Sequence, residues 1–154
     1  MVDRRVMTGV TQTLAEFAAK TTFNDLPGSA IQKTKQVLLD SIGCALGSYI
    51  TDRARITIEL TEELGGHPQA SIIGHRKTSL ALAACANGDL ICTLDYEPVG
   101  PLCPHVCPSV VASSLAMAER VGASGKDLIT AVALGLEAGG ESRQFNIRKN
   151  YTQG

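Results

Sequence analysis

The sequence predicts a mainly α-helical domain, a helical bundle with at most one short β element near residues 69–74. Apolar residues recur at helical spacing along most of the 154 residues, and only one short segment, bounded by proline and glycine, has the composition of a strand. Aromatic residues make up only 4% of the chain, while alanine and glycine are abundant, which suits helices packed through small side chains. The length predicts a single domain over residues 1–154.

Composition and charge exclude several classes of function. With 44% hydrophobic and 19% charged residues the chain is expected to be globular, and its net charge of −1 gives no electrostatic case for binding nucleic acid or a membrane surface. No apolar run approaches the roughly 20 residues of a membrane helix. The basic N-terminal residues precede no apolar segment, so no signal peptide is predicted and a cytoplasmic location is expected. The odd number of cysteines, five, does not resemble a disulfide framework.

Three helices are predicted before residue 66. Residues 11–20 form a short amphipathic helix, and Pro27 lies near the first position of a second helix. Thr51 caps a third helix, and Gly65 ends it. The apolar edge of this third helix is Ile56, Leu60 and Leu64.

The second helix is expected to be buried on more than one side. Its apolar stripe consists of Ile31, Leu38, Ile42, Ala45 and Tyr49, widened by Val37, Leu39 and Leu46. Gly43 and Gly47 either let a neighbouring helix approach closely or end the helix early, and the four-residue spacing favours close packing.

The second half of the chain begins with the strand at residues 69–74 and continues with three helices. Ser79 caps an alanine-rich helix over residues 80–94, in which Asn87-Gly88 is either helical or a turn. Ser109 is predicted to open the next helix. Ser124 and Asp127 form a capping box for the last helix, which Gly139 and Gly140 weaken.

The loop at residues 94–109 contains the best candidates for chemistry. Four of the six prolines lie here, so the loop is not regular helix. It carries the carboxylate of Asp95 and the imidazole of His105, and in one pocket these groups can act as general acid and base. The alternative is an aspartate that ends a helix and a solvated loop histidine.

The cysteines of the same loop raise the possibility of a zinc site. Cys103, His105 and Cys107, with Cys92 upstream, provide zinc-binding residue types, but the spacing is unusual for a zinc loop and no second ligand pair is visible. We therefore expect no metal. The sequence gives no nucleophile-elbow context to Ser109 or to Ser114. Two further histidines, His67 and His75, are predicted at the surface, and no phosphate-binding loop is present.

Several segments in order resemble the MmgE/PrpD family, which includes 2-methylcitrate dehydratase, cis-aconitate decarboxylase and iminodisuccinate epimerase. The first is residues 37–47, Val-Leu-Leu-Asp-Ser-Ile-Gly-Cys-Ala-Leu-Gly. Residues 70–74 and 83–88 are similar to the family's strand and following helix. The Leu-Asp-Tyr-Glu at residues 94–97, with His105 and Pro108-Ser109, resembles its active-site loop, and residues 115–132 complete the order.

The resemblance implies a helical large domain, usually in a homodimer, that works without an organic cofactor. Asp95 and His105 match the family's active-site aspartate and histidine. They would bind a di- or tricarboxylate and move protons during loss of water, decarboxylation or epimerisation. The smaller lid domain of the family is absent from the chain, so the single helical domain is expected to be incomplete.

Departures from the family pattern limit the expected activity. Glu97-Pro98-Val99 replaces an Asp-Asp-Thr segment, Cys92 stands where a histidine is common, and family sequences continue beyond Gly154 to a second active-site histidine. We expect the N-terminal segment of a cofactor-independent lyase or isomerase similar to 2-methylcitrate dehydratase of propionate metabolism, inactive as this short chain. The alternative is a non-catalytic helical dimerisation or binding module.

Overall fold

The computed structural model describes residues 10–98 and 105–141 and shows a helical domain with one small β-hairpin. Its helices are α1 (Val10–Lys20), α2 (Gly28–Gly47), α3 (Asp52–Leu64), α4 (Leu80–Cys92), α5 (Val106–Val121) and α6 (Gly125–Leu136). Short 3₁₀ turns at Phe23–Asp25 and Ser48–Ile50 join the first three helices, and a π-helical turn, Glu137–Glu141, extends α6. The mainly α fold predicted from the sequence is confirmed.

The central helix of the domain is α4, which packs against α2, α3 and α5. Its sequence is apolar on nearly every side, and Asn87-Gly88 is part of the helix. A Cβ added at Gly88 would lie 3.8 Å from the Cβ of Ala112 in α5, so the two helices come close where both residues are small. The core around this contact includes Val37, Ile72, Leu90, Ile91, Val111, Val132 and Leu136.

The β-hairpin consists of strands β1 (Ala70–Ser71) and β2 (Lys77–Thr78), paired antiparallel with Ala70 opposite Thr78. The second strand was not predicted, because two residues are too few to show an alternating pattern. The buried side-chain amide of Asn87 attaches the hairpin to α4. Its Oδ1 accepts the Ile73 N–H at 2.8 Å, and its Nδ2 donates to the Ser71 carbonyl at 3.0 Å.

Close approach between helices depends on a different glycine pair from the predicted one. A Cβ added at Gly43 would meet no atom within 4 Å, and one at Gly47, which ends α2, would lie 3.3 Å from Leu94. A Cβ at Gly135 of α6 would lie 2.6 Å from Val110, and one at Gly139, in the π-helical turn that extends α6, would overlap Val106. These two glycines, four residues apart, let α5 and α6 pack closely.

The buried face of α2 also differs from the predicted stripe. The helix buries small and polar side chains, namely Ala30, Thr34, Val37, Ser41, Cys44 and Ala45. Leu39 is 74% exposed and Leu46 is 50% exposed, so the predicted widening of the stripe was wrong at these two positions, whereas Val37 is buried as predicted. On α3, the predicted apolar edge of Ile56, Leu60 and Leu64 is exposed as well.

The helix boundaries predicted from caps were mostly accurate. Thr51 accepts the Ala54 N–H, and Ser124 and Asp127 form the capping box of α6. Ser109 was the exception, because α5 begins three residues earlier, at Val106. Pro108 therefore lies within the first turn, where a missing N–H costs no helical hydrogen bond.

Among the residues that the structure describes, no helix has both the length and the apolar character needed to cross a membrane.

Candidate acid–base site

The candidate site forms where the chain leaves α4 and turns back towards α5. The Asp95 N–H donates to the Cys92 carbonyl at 3.1 Å, and Asp95 adopts a positive φ of 56°. Aspartate tolerates this left-handed conformation better than most residues. After this turn Tyr96 is exposed, whereas the next side chain, Glu97, is buried. The turn thus brings a carboxylate into the protein interior.

The buried carboxylate meets the imidazole of His105. Oε1 of Glu97 lies 2.8 Å from Nδ1 of His105. The Glu97 side chain is 0% exposed and that of His105 is 51% exposed, so the pair reaches from the interior to the surface. The other carboxylate oxygen, Oε2, has no hydrogen-bond partner among the described residues.

The histidine fixes the charge of this carboxylate. Burial alone would raise the pKa of Glu97, but the hydrogen bond from His105 and the neighbouring polar groups outweigh it and lower the pKa below its usual value. Glu97 is therefore ionised near neutral pH. Its carboxylate can only accept, so Nδ1 of His105 carries the hydrogen of this contact. A carboxylate that holds Nδ1–H fixes the ring orientation and leaves Nε2 for proton transfer.

The thiol of Cys92 lies beside the pair. Burial, followed by the Glu97 carboxylate, raises the pKa of this thiol, so Cys92 is protonated near neutral pH. Cys92, Glu97 and His105 each place one potential ligand atom within 4.8 Å of the others.

A surface cavity of about 490 Å³ opens beside His105. Its wall also includes Arg53, Asp89 and Cys92, together with residues from the first half of α5. Nε of Arg53 donates to Oδ1 of Asp89 at 2.9 Å, which places a cation at the rim of this cavity. His105 immediately precedes α5, so the helix start fixes the position of its backbone.

The two predicted site residues occupy different environments. His105 lies at the cavity and is bonded to Glu97. Asp95 is exposed on the turn, and none of the hydrogen bonds between described residues joins it to His105. Its charge contributes in a minor way to the raised pKa of Cys92, so Asp95 is near the site. The catalytic roles of Asp95 and His105 stay a prediction.

Sequence reasoning missed Glu97 as the partner of His105. In the sequence, Glu97 stands out only as a replacement of an aspartate in the family pattern. A loop residue has no periodic pattern that would indicate burial. The available signal was its place two residues after Asp95 in the same loop. Val99 and Cys103 lie outside the described residues, and Cys107 is buried in the core. The surface positions predicted for His67 and His75 are confirmed.

The structure is a helical domain in which a histidine between α4 and α5 is hydrogen-bonded to a buried carboxylate. The chain belongs to the MmgE/PrpD family, because the model of the MmgE/PrpD N-terminal domain matches residues 12–152.

Curated relatives are similar at low identity. The cis-aconitate decarboxylase of Aspergillus terreus is 28% identical over 144 residues, which cover 89% of this chain and 29% of that protein. The cis-aconitate decarboxylase-like protein oryM of Aspergillus oryzae is 29% identical over 142 residues, covering 84% of this chain and 29% of the relative. The chain thus spans less than a third of these relatives. No solved structure matches it.

Proposed function

We propose that these residues form the acid–base part of a cofactor-independent lyase or isomerase that acts on a citrate-like polycarboxylic acid. The observation that carries the proposal is the 2.8 Å contact between the buried Glu97 carboxylate and His105 at the wall of a cavity. The family and the cis-aconitate decarboxylases among its relatives support the substrate class. More specifically, we propose a 2-methylcitrate dehydratase-like activity and a cytoplasmic location.

His105 is the proposed proton carrier. Glu97 holds Nδ1, and Nε2 makes no hydrogen bond to a described residue. In a dehydration, the neutral ring would remove a carbon-bound proton while a second group protonates the departing hydroxyl. In a decarboxylation, the protonated ring would deliver a proton to the carbon that loses carbon dioxide. One positioned acid or base of this kind contributes about 10²- to 10⁴-fold in rate.

Asp95 is the proposed second group. It is exposed on the turn and close to Cys92, on the same loop as the His105–Glu97 pair. As a carboxylate it would orient a substrate hydroxyl or take part in proton transfer. The left-handed backbone at Asp95 fixes the direction in which the chain continues towards Glu97. Asp95→Asn keeps a residue type that tolerates this conformation, so this substitution separates the charge of Asp95 from the position of Glu97.

Arg53 is the proposed contact for one substrate carboxylate. It lies in the wall of the cavity with His105 and is already bonded to Asp89, which holds the guanidinium in place. A polycarboxylate needs more than one cation. Three further basic residues of the sequence, Arg143, Arg148 and Lys149, lie outside the described residues.

We further propose that turnover requires a longer chain than the 154 residues of this sequence. The relatives are more than three times as long as the matched region, which covers 29% of each. The single helical domain would then be an incomplete unit without the lid domain of the family, and inactive alone.

The test is an assay of the 154-residue chain and of a version extended by a lid domain of the family, on cis-aconitate, 2-methylcitrate and citrate. We expect no turnover by the short chain. In the extended version, His105→Ala and Asp95→Asn should each lower turnover by about 10²-fold or more without changing the circular dichroism spectrum. A His105→Ala variant as active as its parent would show that the chemistry lies elsewhere. Turnover by the 154-residue chain would show that the lid domain is not required for activity.

A non-catalytic helical dimerisation or binding module is the second candidate, and one observation favours it. Ile56, Leu60 and Leu64 form an exposed apolar row along α3. Rows of this kind commonly mark contact surfaces. Formation of a homo-oligomer through this row is compatible with the enzyme proposal as well, so only the activity assay distinguishes the two candidates.

A further inference from the structure

We propose that Cys92, Glu97 and His105 form a binding site for a divalent transition-metal ion of the zinc class. The expectation of no metal came from the spacing of Cys103 and Cys107 along one loop. The folded chain instead gathers ligands from three segments: the end of α4, the turn after it, and the residue before α5. The three ligand atoms lie within 4.8 Å of one another.

The three donor types suit such an ion. Thiolate sulfur, imidazole nitrogen and carboxylate oxygen are the ligands that zinc binds in proteins, and three protein ligands leave a fourth tetrahedral position open. Cys92 and His105 both line the 490 Å³ cavity, so this open position would face solvent or a small ligand. Harder ions such as magnesium prefer oxygen ligands throughout and would not favour the thiolate.

A separate observation favours a cation at this place. The Glu97 side chain is 0% exposed, and its Oε2 has no hydrogen-bond partner among the described residues. Buried carboxylate oxygens are normally paired with a donor or a metal. Its other oxygen accepts a hydrogen bond from the half-exposed His105, and the Cys92 thiol also interacts with this carboxylate. A metal ion between the three side chains would neutralise the carboxylate and contact an atom that now lacks a partner.

The distances allow the site with small movements. Tetrahedral zinc with ordinary bond lengths places its ligand atoms about 3.3–3.6 Å apart. The Glu97–His105 contact of 2.8 Å would widen by about half an ångström, and the largest separation, at most 4.8 Å, would shorten by about 1 Å. Side-chain rotation of His105, which is half-exposed, and of Cys92, at the last turn of α4, supplies movements of this size.

Binding would exchange protons for the ion. The Cys92 thiol loses its proton to solvent, and the imidazole hydrogen moves through solvent from Nδ1 to Nε2, so that the ion takes its place between His105 and Glu97. No electron is transferred. The metal-bound site and the proton-carrying pair are therefore alternative states of the same side chains. The binding proposal does not depend on the proposed enzyme function, because it is tested without turnover.

The experiment is a titration of the reduced, chelator-treated 154-residue chain with Co²⁺, followed by displacement with Zn²⁺. Cobalt bound to a thiolate gives a near-ultraviolet charge-transfer band, and tetrahedral cobalt gives strong visible bands. We expect one equivalent per chain, with both bands lost on addition of Zn²⁺. Cys92→Ser should abolish the charge-transfer band, and Glu97→Gln should weaken cobalt binding at least about 10-fold.

The matched control is Cys85→Ser, because Cys85 is an exposed cysteine that lines the same cavity. This variant should bind cobalt like its parent. If Glu97→Gln fails to fold by circular dichroism, His105→Ala takes its place and should weaken binding in the same way. Absence of a charge-transfer band in the parent would overturn the site. A band that survives Cys92→Ser but disappears in Cys103→Ser would also overturn it and assign the ion to the loop.

Discussion

Oε1 of Glu97 lies 2.8 Å from Nδ1 of His105, and the carboxylate is fully buried whereas the imidazole is half-exposed. The structure contains a second histidine–glutamate contact, between His75 and Glu62, with 3.0 Å between Nε2 and Oε1. That contact lies on an exposed surface, and Glu62 is shared with Arg76. The two pairs contain the same residue types, but only one carboxylate is buried. The effect of a substitution in the buried pair can therefore be compared with the same substitution in the exposed pair.

The first prediction uses these two pairs. In the version extended by a lid domain, assayed with a chelator present, Glu97→Gln should lower kcat by about 10²-fold with little change in KM, because the ring orientation of His105 is no longer fixed by a charge. Glu62→Gln should leave both constants unchanged. Steady-state kinetics on the preferred substrate measures this. Equal effects of the two substitutions would show that the buried pair has no special role.

The second prediction concerns the contact between α5 and α6. Gly135→Ala would place a Cβ 2.6 Å from Val110, so we expect a loss of about 1–3 kcal/mol in the free energy of unfolding. Gly43→Ala is the control, because it adds a methyl group within a helix where no atom lies within 4 Å. That variant should be more stable than its parent by about 0.5–1 kcal/mol. Urea unfolding measures both, and a stabilised Gly135→Ala variant would contradict the packing.

The helices could be predicted from the sequence more fully than the contacts between them, for a physical reason. Helix starts depend on local groups such as the Thr51 and Ser124 hydroxyls, and these were read correctly from the sequence. Which glycine meets a neighbouring helix depends on residues far away in the chain. Gly43 has the predicted spacing but no neighbour, whereas Gly135 meets Val110 of α5.

The candidate site, too, could be predicted only in part. The residue types in the loop predicted acid–base chemistry and placed His105 in it. The partner of His105 could not be derived, because the left-handed turn at Asp95 decides which of the following side chains points inwards. A loop has no repeat from which that choice can be read. Burial of Glu97 is therefore a result that only the folded chain provides.

The third prediction concerns acid stability through Glu119. This carboxylate lies 2.7 Å from Lys77, and it accepts the Ser71 N–H at 2.6 Å and the Ser71 hydroxyl at 2.8 Å, so it ties α5 to the hairpin. The bond from Lys77, with those from Ser71, lowers the pKa of Glu119 below its ordinary value of 4.5. A lowered pKa in the folded state means stabilisation that is complete above the unfolded pKa and is lost as the pH falls through the folded one.

Glu119→Gln should therefore be less stable than its parent by about 1–2 kcal/mol at pH 7, and the difference should shrink steadily below about pH 4.5. Glu63→Gln, at an exposed position near the end of α3, serves as the control and should change little. Urea unfolding at a series of pH values measures the difference. A stability gap that is the same at pH 7 and in acid would show that the charge of Glu119 does not contribute.

The last prediction concerns self-association through α3. Ile56, Leu60 and Leu64 lie four residues apart on one side of the helix, and each is more than half exposed. Exposed apolar rows gain free energy when covered, so we expect the chain to form homo-oligomers at micromolar concentration. Leu60→Glu places a charge in the centre of this row and should shift the chain towards monomer. Met117→Glu is the matched control, because Met117 is an exposed apolar residue on a different helix, α5. Sedimentation velocity over a range of concentrations separates the outcomes. A parent chain that stays monomeric, or equal effects of the two substitutions, would show that this face of α3 is not a contact surface.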